Sequence, residues 1–279
     1  MTQNISHNLL NGKKGLIFGA LDERSIAWHV ALACKREGAS FALTNAPIAL
    51  RFGALDQLAK VTGSQVISCD VSDYEQVANL VDTVVDNDGK LDFILHAVGM
   101  SPNIRKGNDY TKLNYKLLQQ TLEISAISLH KVLQACVEKD ALNDGASIVA
   151  LSYIGAQRIF SKYSDMNDAK ALLESIARNF GSRLGGKGIR VNTVSQGPTK
   201  TSAGSGIGGF DAMYDFAEKL SPLGNPTAEE CADYCVSLFS DLTRKVTMQN
   251  LFHDGGFSTN GISEELVFDL AELSASKNK

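Results

Sequence analysis

Two side chains in the segment 151–174, Tyr163 and Lys170, have types and spacing that could do chemistry together. On an α-helix, seven positions make two turns, so both would leave one face, roughly 10 Å apart along the axis. A phenol there can hydrogen-bond a carbonyl oxygen that is becoming an enolate. An ammonium can hold a sugar hydroxyl and lower the phenol's pKa by its charge. Ser152 and Tyr153 open the segment at the end of an apolar, strand-like run and supply a second phenol. Alone, the pair reads more readily as a helix-start aromatic and a solvated lysine, so its meaning depends on what surrounds it.

The surrounding chain alternates between two periodicities. Apolar runs at 14–20, 40–44, 66–69, 91–97, 147–151, 189–194 and 251–253 read as strands. Between them, helical patterns fall at 25–37, 50–61, 75–85, 115–139, in the Tyr163 segment, and at 211–219 and 228–240. Gly38 stands where a helix ending at 37 would cap. This alternation predicts an α/β fold. The expected architecture is a single Rossmann-like, doubly wound domain with a parallel seven-stranded sheet and helices on both faces. The core would span 10–258. A mobile lid is expected over 200–220, where 204–209 carries four glycines; the C-terminal tail 262–279 turns acidic and ends in SASKNK, 274–279, which is expected to fray.

Composition excludes several classes. The 279 residues are 44% hydrophobic and 21% charged, as in ordinary globular proteins. A net charge of −4 gives no reason to expect nucleic-acid binding. Five cysteines, an odd number in apolar contexts, read as reduced core residues of a cytoplasmic protein rather than a disulfide framework. The N-terminus has no secretory pattern, and no apolar run is long enough to span a membrane. The histidines lack metal-ligand spacing, so no metal is expected.

In a doubly wound sheet, a dinucleotide lies at the carboxyl ends of the strands. The first strand–helix turn keeps only Gly19 of the usual glycines. Ser25 can still offer a hydroxyl and a backbone N–H to a phosphate, with Ile26 and Ala27 following. Asp70-Val71 ends the third strand, where an acid can accept from an adenine amino group. His96-Ala-Val98-Gly99 ends the fourth, and 192–198 ends the sixth. Each alone is a turn; four together, all at carboxyl ends, mark a site.

With these motifs assembled, the chain resembles the enoyl-acyl carrier protein reductases, a divergent branch of the short-chain dehydrogenase/reductase superfamily. The likeness runs over 10–258. It rests on Gly19-x5-Ser25-Ile26-Ala27, Cys69-Asp70-Val71, His96-x2-Gly99, Ser152-Tyr153-x-Gly155-Ala156 and Tyr163-x6-Lys170. Gly188-Ile189-Arg190-Val191-Asn192, Gly197-Pro198, Ser205-Gly206-Ile207 and Asp254-Gly255-Gly256-Phe257 complete it. Ordinary carbonyl reductases of the superfamily use Tyr-x3-Lys. Here no tyrosine has a lysine four residues on, and only Tyr163 has one seven on.

The resemblance implies reduction of the carbon–carbon double bond of a trans-2-enoyl thioester, the last reductive step of type II fatty-acid elongation, using NADH, with NADPH possible. Tyr163 would stabilise the enolate, Lys170 would bind the nicotinamide ribose, and Tyr153 would line the pocket. Gly19, Ser25 and Ile26 would hold the pyrophosphate side, Asp70 and Val71 the adenine, and Val98 and Gly99 the cofactor. Thr199, Thr201, Ser202 and Ala203 would close over the nicotinamide and phosphates. Ser101 would touch the substrate, with Phe210 and Met213 walling the acyl chain. The implied partners are an acyl carrier protein and three further copies of the chain in a homotetramer.

The chain also departs from the pattern. Asn167 stands where many members carry glycine, and Met100 where an aromatic is common. The lid reads Gly208-Gly209-Phe210-Asp211, where relatives carry basic residues proposed to dock the carrier. Docking would then use other cations, such as Lys200, Arg158 or Lys162, or the acyl donor would differ. After the second strand, Thr44-Asn45-Ala46-Pro47 offers neither an acid for a ribose hydroxyl nor an immediate arginine for a phosphate; Arg51 follows a few residues on. Two other readings stay open: a reductase of the same fold acting on another enone or carbonyl, and a non-catalytic dinucleotide-binding protein.

Overall fold

The computed structural model describes residues 5–51, 54–202, 204 and 208–277. Seven strands form one parallel sheet in the order β3-β2-β1-β4-β5-β6-β7. They are β1 (Lys14–Phe18), β2 (Ser40–Asn45), β3 (Val66–Ser68), β4 (Leu91–His96), β5 (Leu142–Ser152), β6 (Arg190–Gln196) and β7 (Asn250–His253). The order reverses between β1 and β4, so a crevice opens at their carboxyl ends.

Helices cover both faces, and the strand residues show why. Leu16 and Phe18 of β1, Ile94 of β4, and Ile148 and Ala150 of β5 share one core with α4 (Tyr74–Asp88), α7 (Ser128–Glu138) and α8 (Met166–Leu184). The alternate residues Ile17, Phe93, Leu95 and Val149 face the other core, with α1 (Ile26–Arg36), α3 (Leu55–Thr62) and α10 (Ala228–Phe239). A strand buried on both faces reads as a continuous apolar run because both of its side-chain rows need oil-like neighbours.

The remaining helices are α2 (Pro47–Leu50), α5 (Pro102–Arg105), α6 (Tyr115–Leu122), α9 (Phe210–Leu220) and α11 (Glu264–Lys277). A π-helical turn, Glu123–Ile127, joins α6 to α7 within the region expected as one helix. Two expectations are corrected. The tail does not simply fray: Glu264–Lys277 is helical, with Asp269 paired to Lys219 of α9. And Tyr163 and Lys170 do not share one helix. Tyr163 ends a 3₁₀ turn, Ser161–Tyr163, and α8 starts only at Met166. Between them Ser164 has φ +45°, a left-handed conformation that interrupts any regular helix.

Among the described residues, no helix is long and apolar enough to cross a membrane. The five cysteines are free and buried. No three His, Cys, Asp or Glu side chains among the described residues are grouped to hold a metal.

Candidate active site

The carboxyl ends of β1, β4, β5 and β6 open into one cleft of about 250 Å³. Tyr153, Tyr163 and Lys170 line it together. The Tyr153 and Tyr163 rings meet edge to face, centroids 4.8 Å apart, so the two phenols are packed as one unit. Tyr153 also packs on Phe160 and donates its hydroxyl to the Met213 sulfur at 3.5 Å.

Lys170 comes from the second turn of α8 and is 7% exposed. Its Nζ donates to the Leu151 carbonyl at 2.7 Å, tying it to the end of β5. Burial lowers its pKa to about 8, opposed by the nearby Glu174 carboxyl. An ammonium has three N–H groups, and the Leu151 carbonyl is the only partner Nζ has among the described residues. Two donors are left beside Gly99, where an added Cβ would lie 3.8 Å from Nζ and 3.4 Å from the Met166 methyl. A cation with two spare donors next to a side-chain-free strand end fits a ribose diol.

The expected lowering of the Tyr163 pKa is reversed in the protein alone. Burial raises it, and Tyr153 raises it further. Desolvation of the phenolate dominates, so Tyr163 stays a protonated donor. Burial raises Tyr153 as well.

The other expected cofactor positions divide. Ile26, Val98, Gly99, Thr199 and Thr201 line the same cleft as Lys170. Gly19 lies behind it with φ +93°, and a Cβ there would sit 2.1 Å from the Ala97 carbonyl, so only glycine fits where β1 and β4 part. The Ser25 hydroxyl is turned back on its own loop, donating to the Asp22 carbonyl at 2.6 Å and accepting from Leu21 N–H at 3.1 Å. Asp70 accepts from the backbone and hydroxyl of Ser72, and Val71 is buried beside it. Ser202 donates to Asp22 at 2.5 Å, joining the start of the lid to the first turn. Ala203 lies outside the described residues, as do Ser205, Gly206 and Ile207 of the lid motif.

Of the expected substrate positions, Phe210 and Met213 wall the cleft from α9. Ser101 also lines it, but its hydroxyl donates to Asp165 at 2.6 Å and accepts from Ile104 N–H at 3.0 Å. This exposes a residue that periodicity did not flag. Asp165 is fully buried, and its carboxyl group accepts from Ser101, from Asn103 at 2.9 Å and from Thr121 at 2.8 Å. It pins the turn after Tyr163 to α5 and α6. Asn167 braces the same turn, donating to the carbonyls of Phe160 and Ser164. Ser152 donates to the buried Glu174 at 2.8 Å. His96, also buried, has its pKa lowered to about 3, by burial first and the Lys170 charge second. Ser128 donates to the Ile124 carbonyl, so the His96 Nε2 at 2.8 Å donates to Ser128.

Such a crevice, with a buried lysine under two phenols at the switch point of a parallel sheet, defines a nicotinamide-dependent reductase of the Rossmann class. The family sequence described as Enoyl-(Acyl carrier protein) reductase matches residues 19–258, and the chain belongs to that family. An Enoyl-[acyl-carrier-protein] reductase [NADH] of Rhizobium meliloti is 34% identical over 253 residues, covering 90% of this chain and 94% of its own. The crystal structure of a FabI–NADH complex from Alistipes finegoldii is 56% identical with a TM-score of 0.91, covering 92% of each chain. The Bacillus cereus enoyl-acyl carrier protein reductase, solved with NADP+ and an indole naphthyridinone, is 31% identical. Its TM-score is 0.86, over 91% of this chain and 99% of that one.

Proposed function

We propose that this chain reduces the double bond of a trans-2-enoyl thioester carried on an acyl carrier protein, using NADH. The observation that carries the reading is the joint placement of Tyr163, Tyr153 and Lys170 around one cleft walled by Phe210 and Met213. When bound, the reduced nicotinamide supplies a hydride to the β-carbon. The thioester oxygen then gains charge, and Tyr163, protonated because burial raises its pKa, donates a hydrogen bond to it. A proton adds at the α-carbon and completes the saturated product. Lys170 would hold the ribose with its spare donors, and the edge-to-face Tyr153 fixes the Tyr163 ring. Val98, Gly99, Thr199 and Thr201 would line the cofactor, with Gly19, Ser25 and Ile26 at its phosphates, Asp70 and Val71 at its adenine, and Ser202 and Ala203 over it.

NADH is preferred over NADPH in this reading because, among the described residues, the end of β2 has no cation placed for a 2′-phosphate. Asn45 there is spent on structure, donating to the Ala20 carbonyl and accepting from Ala46 N–H, and Arg51 is exposed beyond α2. A cytoplasmic homotetramer is part of the same reading; sedimentation tests the assembly.

The test is loss of the near-ultraviolet absorbance of NADH or NADPH in the presence of a crotonyl thioester. Tyr163→Phe is expected to lower kcat by about 10²-fold or more, with cofactor affinity nearly unchanged. Equal loss of both would remove Tyr163 from the reaction.

A further inference from the structure

The mouth of the cleft is electrically lopsided. Within α9 the exposed charged residues are Asp211, Asp215 and Glu218. On the opposite side, 105–116 carries Arg105, Lys106, Lys112 and Lys116, and the loop before Tyr163 carries Arg158 and Lys162, all exposed. These two stretches are neighbours. Lys112 and Lys162 both help hold the Asp109 carboxyl below its usual range, after the hydrogen bonds from Thr111. The Tyr110 hydroxyl donates to Asp168 of α8 at 3.1 Å.

None of the six cations forms an ion pair among the described residues, whereas Lys90, Lys139, Lys187 and Lys219 elsewhere are each paired with carboxylates. Arg105 lines the main cleft. Lys162 lines a side opening of about 150 Å³ that shares Tyr163, Phe210 and Met213 with it. Among the described residues, no carboxylate lines either opening. Between the cations stand exposed apolar surfaces: Ile159 at 83%, Tyr115 at 77% and Tyr110 at 52%. Lys200, by contrast, sits over the Tyr214 ring on the lid side, 4.4 Å from its centroid.

We propose that this rim, on the side of the cleft opposite α9, is the docking surface for the acidic carrier protein that presents the acyl thioester. The inference rests on the function proposed above and adds the face of approach. Six cations with no ion pair among the described residues, against Asp109 and Asp168 on the same rim, select an acidic partner on a chain of net charge −4, and the acidic face of α9 repels it, which fixes its orientation at the mouth. The interspersed tyrosines and isoleucine supply the apolar contact that a folded protein needs and a phosphate backbone does not. A second copy of this chain pairing the same patch about a two-fold axis would set like charges together. A thioester delivered from this side enters past Arg105 or Lys162 and meets Tyr163 first.

The test uses two substrates with the same acyl group: crotonyl carried on holo acyl carrier protein, and uncharged crotonyl-N-acetylcysteamine. Lys106→Glu, Lys112→Glu and Lys116→Glu are combined in one variant, since none of the three lines the cleft. A control variant, Lys35→Glu with Lys60→Glu and Lys245→Glu, changes net charge equally on other surfaces. The rim variant is expected to lower kcat/KM for the carrier substrate by about tenfold or more, through KM, with the small thioester unaffected. The wild-type rate on the carrier substrate should fall with salt, and the control should behave as wild type. Equal loss in the control, loss on both substrates, or no loss would overturn the proposal. Fluorescence anisotropy of unloaded carrier separates docking from function. A wild-type chain that binds carrier through the rim but reduces neither thioester refutes the function alone. One that reduces the small thioester while rim charges leave carrier binding unchanged refutes the docking surface. Tighter binding of a DNA oligonucleotide than of carrier, lost in the rim variant, would overturn it too.

Discussion

Raising the pH should switch off cofactor binding near pH 8, through Lys170. In the free enzyme its ammonium is buried at 7% exposure, and among the described residues its one hydrogen-bond partner is the Leu151 carbonyl. Burial brings its pKa from 10.5 to about 8. That lowering corresponds to roughly 3 kcal/mol of lost preference for the charged form. Below the break the ammonium is present to meet the ribose hydroxyls; above it, a neutral amine offers fewer donors and no charge. The kcat/KM for NADH reports groups of the free enzyme, so it should fall about tenfold per pH unit above about pH 8. Glu174, one turn further along α8, opposes the shift, so Glu174→Gln should move the break to lower pH. Lys170→Met should bind NADH weakly with no break. A wild-type profile flat to pH 10, or a break that survives in Lys170→Met, would refute the assignment.

Three further outcomes follow from the geometry. Asp165→Asn would turn one amide N–H₂ toward the donors of Ser101, Asn103 and Thr121. It should lower stability by about 3 kcal/mol in urea denaturation and depress kcat by loosening the Tyr163 turn. His96 has a folded pKa of about 3 against 6.5 unfolded, so the unfolded chain binds the extra proton between those values. Its contribution is complete above about pH 6.5 and is lost as pH falls, about 2 kcal/mol by pH 5, and His96→Gln should flatten that limb of the stability profile. A 3-oxoacyl thioester should be turned over at least about 100-fold more slowly than the 2-enoyl thioester in parallel cofactor-oxidation assays; comparable rates would contradict the role given to Tyr163.

The sheet was legible in the sequence because each central strand is buried on both faces and reads as a continuous apolar run. The cleft was legible where glycine or small residues had to stand at strand ends. Gly19 is an example, since any Cβ would meet the Ala97 carbonyl. The connection from Tyr163 to Lys170 misled because a count of seven cannot show that Ser164 takes a left-handed conformation. Asp165 escaped because its partners at 101, 103 and 121 converge only in three dimensions. The cationic rim was legible only in part: Arg158 and Lys162 stood out as docking cations, but their closeness to 105–116 did not, because β5 and two helices separate the two stretches in the chain. The terminal helix α11 was missed because Phe268, Leu270 and Leu273 remain largely exposed, leaving no buried stripe to give it a period.

The perturbed pKa values also bear on which reduction this cleft suits. Hydride delivery to a ketone leaves a strongly basic alkoxide that its neighbour must protonate, and a good general acid has a pKa near the working pH. Tyr163 has moved the other way, up, because burial and Tyr153 both disfavour its phenolate. A group so placed is a poor acid and a dependable hydrogen-bond donor. Hydride delivery to an enoyl thioester leaves an enolate whose charge is shared between oxygen and carbon. It requires a donor at oxygen, while the proton is taken up at the α-carbon. The placement of Lys170 on α8, after the break at Ser164, fits this division. It keeps the cation beside the strand end, where a ribose would lie, and leaves the phenol in a desolvated corner against Tyr153. A cation close enough to lower the phenol's pKa would favour the ketone chemistry instead.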